Sequence, residues 1–364
     1  MKLFTRLLIG GAAALIATAA FVSCTQQGTI KIGVISPLSG TGSVYADLRD
    51  GLQLAADEVN ARGGVNKKKI KLIVEDDHGK ADEAVAAFEK IEARDRPLFF
   101  VSVLSSLSVP IAPLAAREKV ILFALVTASP EITVGNEWVY RFYSGAEEEA
   151  DAVATIIANL RVKKLGVLYV DDSYGGPIYE LTKQRFTHVG RTIIGIPFDT
   201  KTTDFRPQIK KLMDTSAIDV IALAAHYPLI LSQLKEAGYT GAIICGSGAS
   251  LPSVTGLEAA QGAYVATSII YNPSYMFARN ARLQFEDRFK RPFTQYAANG
   301  YDLIKLVAGL IENHEVSRES LKTLLEGGLM YSGVFGSLSL RPGEQSIAFP
   351  LFPGQIVNKS IKYQ

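Results

Sequence analysis

The chain has 364 residues, of which 48% are hydrophobic and 20% are charged, and its formal net charge is +2. This composition is typical of globular proteins, and the length predicts about two domains. The near-neutral charge, without a stripe of Lys and Arg interleaved with aromatic residues, argues against nucleic acid as a partner.

The N-terminal segment differs in composition from the rest of the chain. Lys2 and Arg6 are its only charged residues, and an uninterrupted apolar run from Leu7 to Val22 follows them. This run is shorter than the roughly 20 residues that span a bilayer. A positive start, a short apolar stretch and small residues are typical of a secretory signal peptide, which we expect at residues 1–23. An uncleaved membrane anchor is the alternative.

The two cysteines have different predicted roles. Cys24 ends the segment FVSC, which resembles the lipobox of bacterial lipoproteins. The resemblance implies cleavage before Cys24, lipidation of its thiol and a flexible tether over residues 24–29, although a plain signal peptide with a chance Cys is also compatible. Cys245 lies in the apolar run AIICG and would have no disulfide partner, so we expect a buried, inert thiol.

Strands and helices alternate along the rest of the chain. Apolar segments predict strands at 30–36, 70–77, 97–103 and 120–125, with helically spaced apolar residues between them. The pattern then restarts at KKLGVLYV, with further strands at 192–198, 217–225 and 241–246. Because parallel strands need helical crossovers, this alternation predicts an α/β fold with two similar lobes, each a mostly parallel sheet flanked by helices.

Polar and aromatic side chains follow the predicted strands. Open α/β sheets bind ligands outside the carboxyl ends of their strands, so these residues are candidates for a ligand site. They are Ser39, Tyr45, Ser105, Ser106, Ser108, the segment 126–133, Asp172, Tyr174, His226, Tyr227 and Ser247.

The three serines after the strand 97–103 suggest what the ligand carries. At a strand-to-helix junction, hydroxyl groups combine with free backbone N–H groups and the positive end of the helix dipole. A carboxylate is the natural guest of such a site. The alternative is that Ser105, Ser106 and Ser108 only cap the helix.

Three enzymatic or metal-binding interpretations fit the sequence poorly. SGTGSVY follows a strand, but Tyr45 stands where a dinucleotide loop needs its third glycine. CGSGAS has Cys245 where the nucleophile elbow G-x-S-x-G begins with glycine. EDDH at Glu75–His78 lies at a strand end, where successive side chains point oppositely, and we interpret it as a solvated turn. We therefore expect no catalytic residue, cofactor or metal.

From Thr29 to its end, the chain resembles the branched-chain amino acid (Leu/Ile/Val) type of periplasmic binding proteins of ABC transporters. The matching segments begin with IKIGVISPLSGTGSVYADLRDGLQLAADEVNARGGV and continue with SSLSVPIAPLAAREKVILF, TASPEIT, GVLYVDDSYGG and LSQLKEAGYTGAII. The resemblance implies two lobes joined by three hinge crossings near 142–144, 269–272 and 343–346. Residues 30–143 plus 272–345 would form the N-terminal lobe, and residues 144–271 plus 346–364 the C-terminal lobe.

The resemblance also implies roles for individual residues. Ser105 matches the serine that binds the ligand carboxylate, and Ser106 is its neighbour. Tyr45 and Tyr174 match aromatic residues of the two lobes that lie over the ligand, and His226 or Tyr227 matches a further aromatic wall.

The sequence departs from the family pattern at two places. Val126 and Ala128 stand where the family holds the amino acid head group, and Thr127 or Ser129 could substitute only with a register shift. Ser247 or Gly248 stands where the family has an acidic partner for the α-ammonium group. Asp172 or Glu131 are the remaining candidates for that partner. Because an unpaired buried ammonium is unfavourable, the sequence predicts a small carboxylate ligand that need not carry an ammonium group.

These observations together predict an exported, lipid-anchored solute-binding protein. We expect a monomer that captures an amino acid or related organic acid by hinge closure, delivers it to an ABC permease and is not an enzyme. A sensory ligand-binding module that signals to a membrane partner is the alternative. A secreted hydrolase would need a nucleophile and base together, which the sequence does not offer.

Overall fold

A computed structural model describes residues 28–187, 191–215, 218, 220–224, 227–347 and 349–363. Cys24 and the predicted signal peptide lie outside the described residues, and so does His226.

The described chain folds as an alternation of strands and helices. The strands are β1 Thr29–Ser36, β2 Lys69–Asp76, β3 Phe99–Val103, β4 Ile121–Leu125, β5 Val139–Phe142, β6 Lys164–Val170, β7 Thr192–Phe198, β8 Val220–Ala224, β9 Ala242–Cys245, β10 Tyr264–Thr267, β11 Leu329–Gly333, β12 Gly336–Leu340, β13 Ser346–Ile347, β14 Phe352–Val357 and β15 Ser360–Tyr363. The helices are α1 Ala46–Ala61, α2 Ala81–Asp95, α3 Ser105–Arg117, α4 Ala146–Asn159, α5 Gly175–Thr187, α6 Arg206–Met213, α7 Tyr227–Glu236, α8 Pro252–Thr255, α9 Met276–Phe289, α10 Gln295–Leu310 and α11 Arg318–Glu326.

The first sheet has the strand order β13-β5-β4-β3-β1-β2, and all of its pairs are parallel. Every residue of β3 and β4 is buried, as expected for central strands with helices on both faces. The order reverses between β1 and β3, so a crevice opens at their carboxyl ends. Tyr45, just before α1, and Ser105, the first residue of α3, both follow these strand ends.

The second sheet has the order β15-β14-β10-β9-β8-β6-β7. Its pairs are parallel from β7 to β10, and β14 and β15 add an antiparallel edge. The order reverses between β6 and β8. The prediction of two α/β lobes with mostly parallel sheets is therefore confirmed.

Three connections join the two sheets: β5 to β6, β10 to β13, and β13 to β14. The third connection corrects one predicted boundary. Ser346 and Ile347 pair with Arg141 and Phe142 of β5, so they belong to the first sheet. The crossing predicted at 343–346 therefore begins only after Ile347. The sequence does not reveal this, because β13 is short and its partner strand β5 is distant in the sequence.

Helices α1 and α10 touch backbone to backbone beside the first sheet. A Cβ atom at Gly300 would collide with the carbonyl oxygen of Leu48, and one at Gly51 with that of Ala297. This close approach fixes the N-terminus of α10, which carries Gln295 and Tyr296, against the start of α1.

We expect Gly300→Ala to destabilise the protein by about 1–3 kcal/mol, because the added methyl group forces the two helices apart. Gly309→Ala on the same helix is the matched control, since Gly309 is exposed and a Cβ there meets nothing within 4 Å. That variant should be neutral or gain about 0.5–1 kcal/mol from helix propensity. Urea unfolding of both variants tests this, and equal stability of the two would contradict the backbone contact.

Candidate functional site

The loops after β3 and β4 lie side by side and both contain strained residues. Leu104 has a φ of 75° and Val126 a φ of 51°, although neither is glycine. The N–H of Leu104 donates to the carbonyl of Leu125 over 3.1 Å, which joins the two loops. Such strain is uncommon for bulky residues and clusters at binding sites, where the surrounding structure enforces it.

Ser105 connects these two loops at the start of α3. Its side chain is buried, and its Oγ accepts hydrogen bonds from the N–H groups of Ala128 and Ser129, each over 3.2 Å. Ser105 and Ser106 occupy the first two positions of the helix, whose N–H groups have no partner within it. Ser106 is partly buried. The structure therefore brings Ser105 and Ala128 together beside the N–H groups at the start of α3.

Thr127 and Ser108 lie deeper and are committed to internal hydrogen bonds. The Thr127 hydroxyl donates to the carbonyl of Leu125 over 3.0 Å and lies 3.2 Å from the Ser108 hydroxyl. Ser108 also accepts a 2.7 Å hydrogen bond from Ser102. Both hydroxyl groups thus stabilise the loop after β4 from inside. The groups of this loop that contact Ser105 are the backbone N–H groups of residues 128 and 129.

A buried carboxylate, Glu149, lies beside Ser247. Its side chain accepts hydrogen bonds from the Ser247 N–H at 3.3 Å, the Ser247 hydroxyl at 3.4 Å and the Tyr174 hydroxyl at 3.2 Å. Glu149 is only 1% exposed, and burial raises the pKa of its carboxyl group to about 7. A Cβ at Gly246 would collide with the Glu149 carboxylate, so glycine there makes room for it.

Glu149 thus places a carboxyl group beside Ser247, although the sequence has no acid at positions 247 and 248. Sequence reasoning missed it because it lies in a run of three glutamates at the start of α4, where acidic residues usually complement the helix dipole. The missed signal was its position on the apolar face of the helix. Four residues later on that face comes Val153, and then Ile156 and Ile157, all buried.

The two acids suggested from the sequence as ammonium partners are placed elsewhere. Asp172 Oδ1 accepts the N–H groups of Tyr174 and Gly175, at 2.8 and 3.0 Å, and so caps the start of α5. Glu131 is exposed. Asp172 thus positions Tyr174, and in the structure neither of these two acids is hydrogen-bonded to Ser247, whereas Glu149 is.

Tyrosines surround Ser247 and Glu149. The Tyr143 hydroxyl lies 3.2 Å from the Ser247 hydroxyl, and the rings of Tyr45 and Tyr296 lie 5.1 Å apart. Tyr227 is buried next to Gly246 and Gly248. Burial raises the pKa of Tyr45 to about 12 and also raises the pKa values of Tyr143, Tyr174 and Tyr296, so these groups stay neutral. Tyr45, Tyr174 and Tyr227 were predicted; Tyr143 and Tyr296 were not.

Both lobes contribute to the surroundings of Ser247. Gln295, at the start of α10, donates from Nε2 to the Ser247 carbonyl over 3.1 Å. The loop after β4 and helix α4 are also joined, because the N–H of Ala146 donates to the carbonyl of Ala128 over 3.0 Å. The loop that contacts Ser105 is thus joined to the helix that carries Glu149, and the buried tyrosines lie around Ser247.

The remaining expectations concern metal and thiol chemistry. Among the residues that the structure describes, no group of three or more His, Cys, Asp and Glu side chains could hold a metal ion. In the EDDH turn, Asp77 Oδ1 accepts the Gly79 N–H over 2.9 Å and His78 pairs with Glu83. Cys245 is fully buried, and burial raises the pKa of its thiol to about 12. Its predicted burial is confirmed.

The sequence was compared with known protein families and curated proteins. Residues 29–360 match the model of the periplasmic binding protein family. The Leu/Ile/Val-binding protein BraC3 of Rhizobium johnstonii is 26% identical over 245 residues, which cover 65% of this chain and 66% of that protein. An amino acid binding protein of Pseudomonas aeruginosa is 24% identical over 227 residues, covering 60% of each chain. The alignments thus span at most about two thirds of these relatives' own lengths.

Solved structures share the fold. The leucine binding protein LivK of Thermotoga maritima superposes with a TM-score of 0.84 at 23% identity, covering 92% of this chain and 98% of that one. A solute binding protein of Rhodopseudomonas palustris in complex with 3,4-dihydroxybenzoic acid has a TM-score of 0.81 at 21% identity, covering 92% and 95%. In the described ranges, no helix is long and apolar enough to cross a membrane. The chain, with its two α/β lobes and its match over residues 29–360, belongs to the periplasmic binding protein family.

Proposed function

We propose that this protein binds an α-amino acid between its lobes and delivers it to an ABC importer. The observation that carries the proposal is the buried Glu149 carboxylate beside Ser247, in a site whose other end is the Ser105 anion site. A zwitterion has one charge for each end.

At the anion end, the ligand carboxylate would accept hydrogen bonds from the Ser105 hydroxyl and from N–H groups at the start of α3. Each hydrogen bond to a charged group contributes about 1.5–3 kcal/mol. Three such bonds, together with apolar contacts, supply the binding free energy of roughly 8 kcal/mol that corresponds to a micromolar Kd.

At the acidic end, Glu149 needs a cation. Its hydrogen-bond partners in the described structure are a backbone N–H and two hydroxyl groups, all neutral. Burial of the unpaired charge raises its pKa, and an ammonium group would restore the ionised form. This reverses the expectation from sequence that the ligand need not carry an ammonium group.

The walls favour an apolar or aromatic side chain on the ligand. The rings of Tyr45, Tyr174, Tyr227 and Tyr296 present flat faces, and their hydroxyl groups stay neutral. Relatives named for leucine, isoleucine and valine support this choice of ligand class.

Calorimetry with leucine and its keto acid, 4-methyl-2-oxopentanoate, tests the proposed function. We expect leucine, or another apolar amino acid of the panel, to bind at micromolar strength and its keto acid at least about tenfold more weakly, since only the amino acid pairs with Glu149. Preferential binding of the keto acids would refute the proposal and restore the interpretation made from sequence.

Attachment to the membrane through Cys24 is also part of this proposal. Two acyl chains give stable anchoring where one does not. We expect Cys24→Ala to move the protein from the membrane fraction to the soluble exported fraction, measured by fractionation and immunoblotting. Cys245→Ala is the control and should stay with the membrane. A Cys24→Ala protein that resists alkaline extraction from membranes would instead indicate an uncleaved helix.

A further inference from the structure

Arg141 connects the loop after β4, here called the ligand loop (residues 126–129), to the short strand β13. It lies on β5, and its partly buried side chain donates from Nε to the Ser346 hydroxyl over 2.7 Å. Its Nη1 lies 3.5 Å from the carbonyl oxygen of Ala128 and 3.4 Å from that of Ser129. One guanidinium group thus contacts β13 and the loop that faces Ser105.

The opposite side of the guanidinium packs on Gly145, in the connection from β5 to β6. A Cβ at Gly145 would lie 2.8 Å from Arg141 Cζ and Nη2, closer than any side chain allows. The next residue, Ala146, donates its N–H to the same Ala128 carbonyl over 3.0 Å. The Ala128 carbonyl is therefore the point where the ligand loop, Arg141 and the helix that carries Glu149 meet.

The peptide group between Ala128 and Ser129 connects Arg141 to the anion site. Its carbonyl oxygen points to Arg141, and its N–H donates to Ser105 Oγ over 3.2 Å. Because a trans peptide is planar, the direction of its C=O fixes the direction of its N–H. A positive charge near the oxygen also polarises the peptide and strengthens the N–H as a donor.

The hydrogen-bond partners of Arg141 among the described residues are a hydroxyl and carbonyl oxygens, and Glu148 contributes favourable electrostatics. We propose that Arg141 is a positioning residue, which holds the Ser129 N–H toward Ser105 Oγ and thereby orients the Ser105 hydroxyl at the site of the ligand carboxylate without touching the ligand. The proposal rests on the proposed function, because it assumes that the Ser105 end binds that carboxylate.

A double-mutant cycle tests this role. Arg141→Gln should weaken binding of leucine, or of whichever amino acid the unmodified protein binds, by about 10- to 100-fold, and Arg141→Lys by less. Residues that act through one peptide group are not additive, so Arg141→Gln should have a smaller effect in a Ser105→Ala background. Additive losses, or unchanged binding by Arg141→Gln, would overturn the proposal.

Two further measurements keep the outcome clear. Gly145→Ala displaces the guanidinium from its other side and should weaken binding in the same direction, even if Arg141→Gln does not fold; wild-type affinity of a folded Gly145→Ala protein would count against the role. The amide proton of Ser129, followed by NMR without ligand, should shift in Arg141→Gln more than in Ser346→Ala. If the unmodified protein binds no amino acid, the proposed function fails, whereas an unchanged Ser129 amide refutes the role of Arg141 itself.

Discussion

Glu149→Gln is expected to weaken amino acid binding more than any other single substitution in the site. Gln is isosteric with Glu but leaves the ligand ammonium buried without an opposite charge. Removing one partner of a buried charge pair costs about 2–5 kcal/mol or more, which is roughly a 30-fold to several-thousand-fold increase in Kd. Calorimetry with the ligand of the unmodified protein measures this increase.

Glu147→Gln is the matched control for this substitution. Glu147 lies two residues earlier on the same helix, but its side chain is 70% exposed and its nearest ion-pair contact is a 3.7 Å approach to Arg185. Its replacement should change binding by less than about 0.5 kcal/mol. If Glu149→Gln binds the amino acid as well as Glu147→Gln does, Glu149 is not the ammonium partner.

Amino acid affinity should also rise with pH through the pKa of Glu149. Burial raises that pKa to about 7, so the carboxyl group of the empty protein is protonated below this value and cannot pair with an ammonium group. Below pH 7 we expect the affinity to fall by up to about tenfold per pH unit, with a proton released on each binding event. Calorimetry in buffers of different ionisation enthalpy, between about pH 5.5 and 8, measures both effects.

Two other buried carboxyl groups titrate in the same range. Burial raises the pKa of Asp77 to about 6 and that of Asp302 to about 7. Acids with a raised pKa in the folded state stabilise it most below their unfolded pKa, and this contribution is lost as the pH rises through the folded value. Asp77 and Asp302 therefore affect how the free energy of unfolding depends on pH. Glu149→Gln should flatten the pH dependence of ligand binding, and a dependence that persists in this variant would rule out Glu149 as its source.

Local patterns in the sequence determined the architecture and one end of the site. The period of apolar residues distinguishes strands from helices, and strand–helix alternation leaves few arrangements other than parallel sheets. Ser105 and Tyr174 lie after the carboxyl ends of β3 and β6, as the alternation predicts, and their contact with a ligand stays a prediction. These features depend on neighbours within a few residues, which is why the sequence alone reveals them.

Only the tertiary structure decided which acid lies beside Ser247. Glu149 and Ser247 are 98 residues apart, and their contact depends on how α4 packs against the second sheet. The sequence offered several acids, and packing assigned Asp172 to cap α5 and left Glu131 in solvent. A cap and a ligand contact use the same carboxylate chemistry, so residue type and spacing cannot distinguish them.

The same limit applies to the crossings between the lobes. The pairing of Ser346 with Arg141 joins residues 205 positions apart in a strand of only two residues, too short to show any periodicity. The sequence determined that strands and helices alternate and that serines open α3, because propensity and periodicity act locally. Which distant residues then meet at Ser247 and at the Ala128 carbonyl is decided by long-range packing, because only the folded chain fixes their separation and burial.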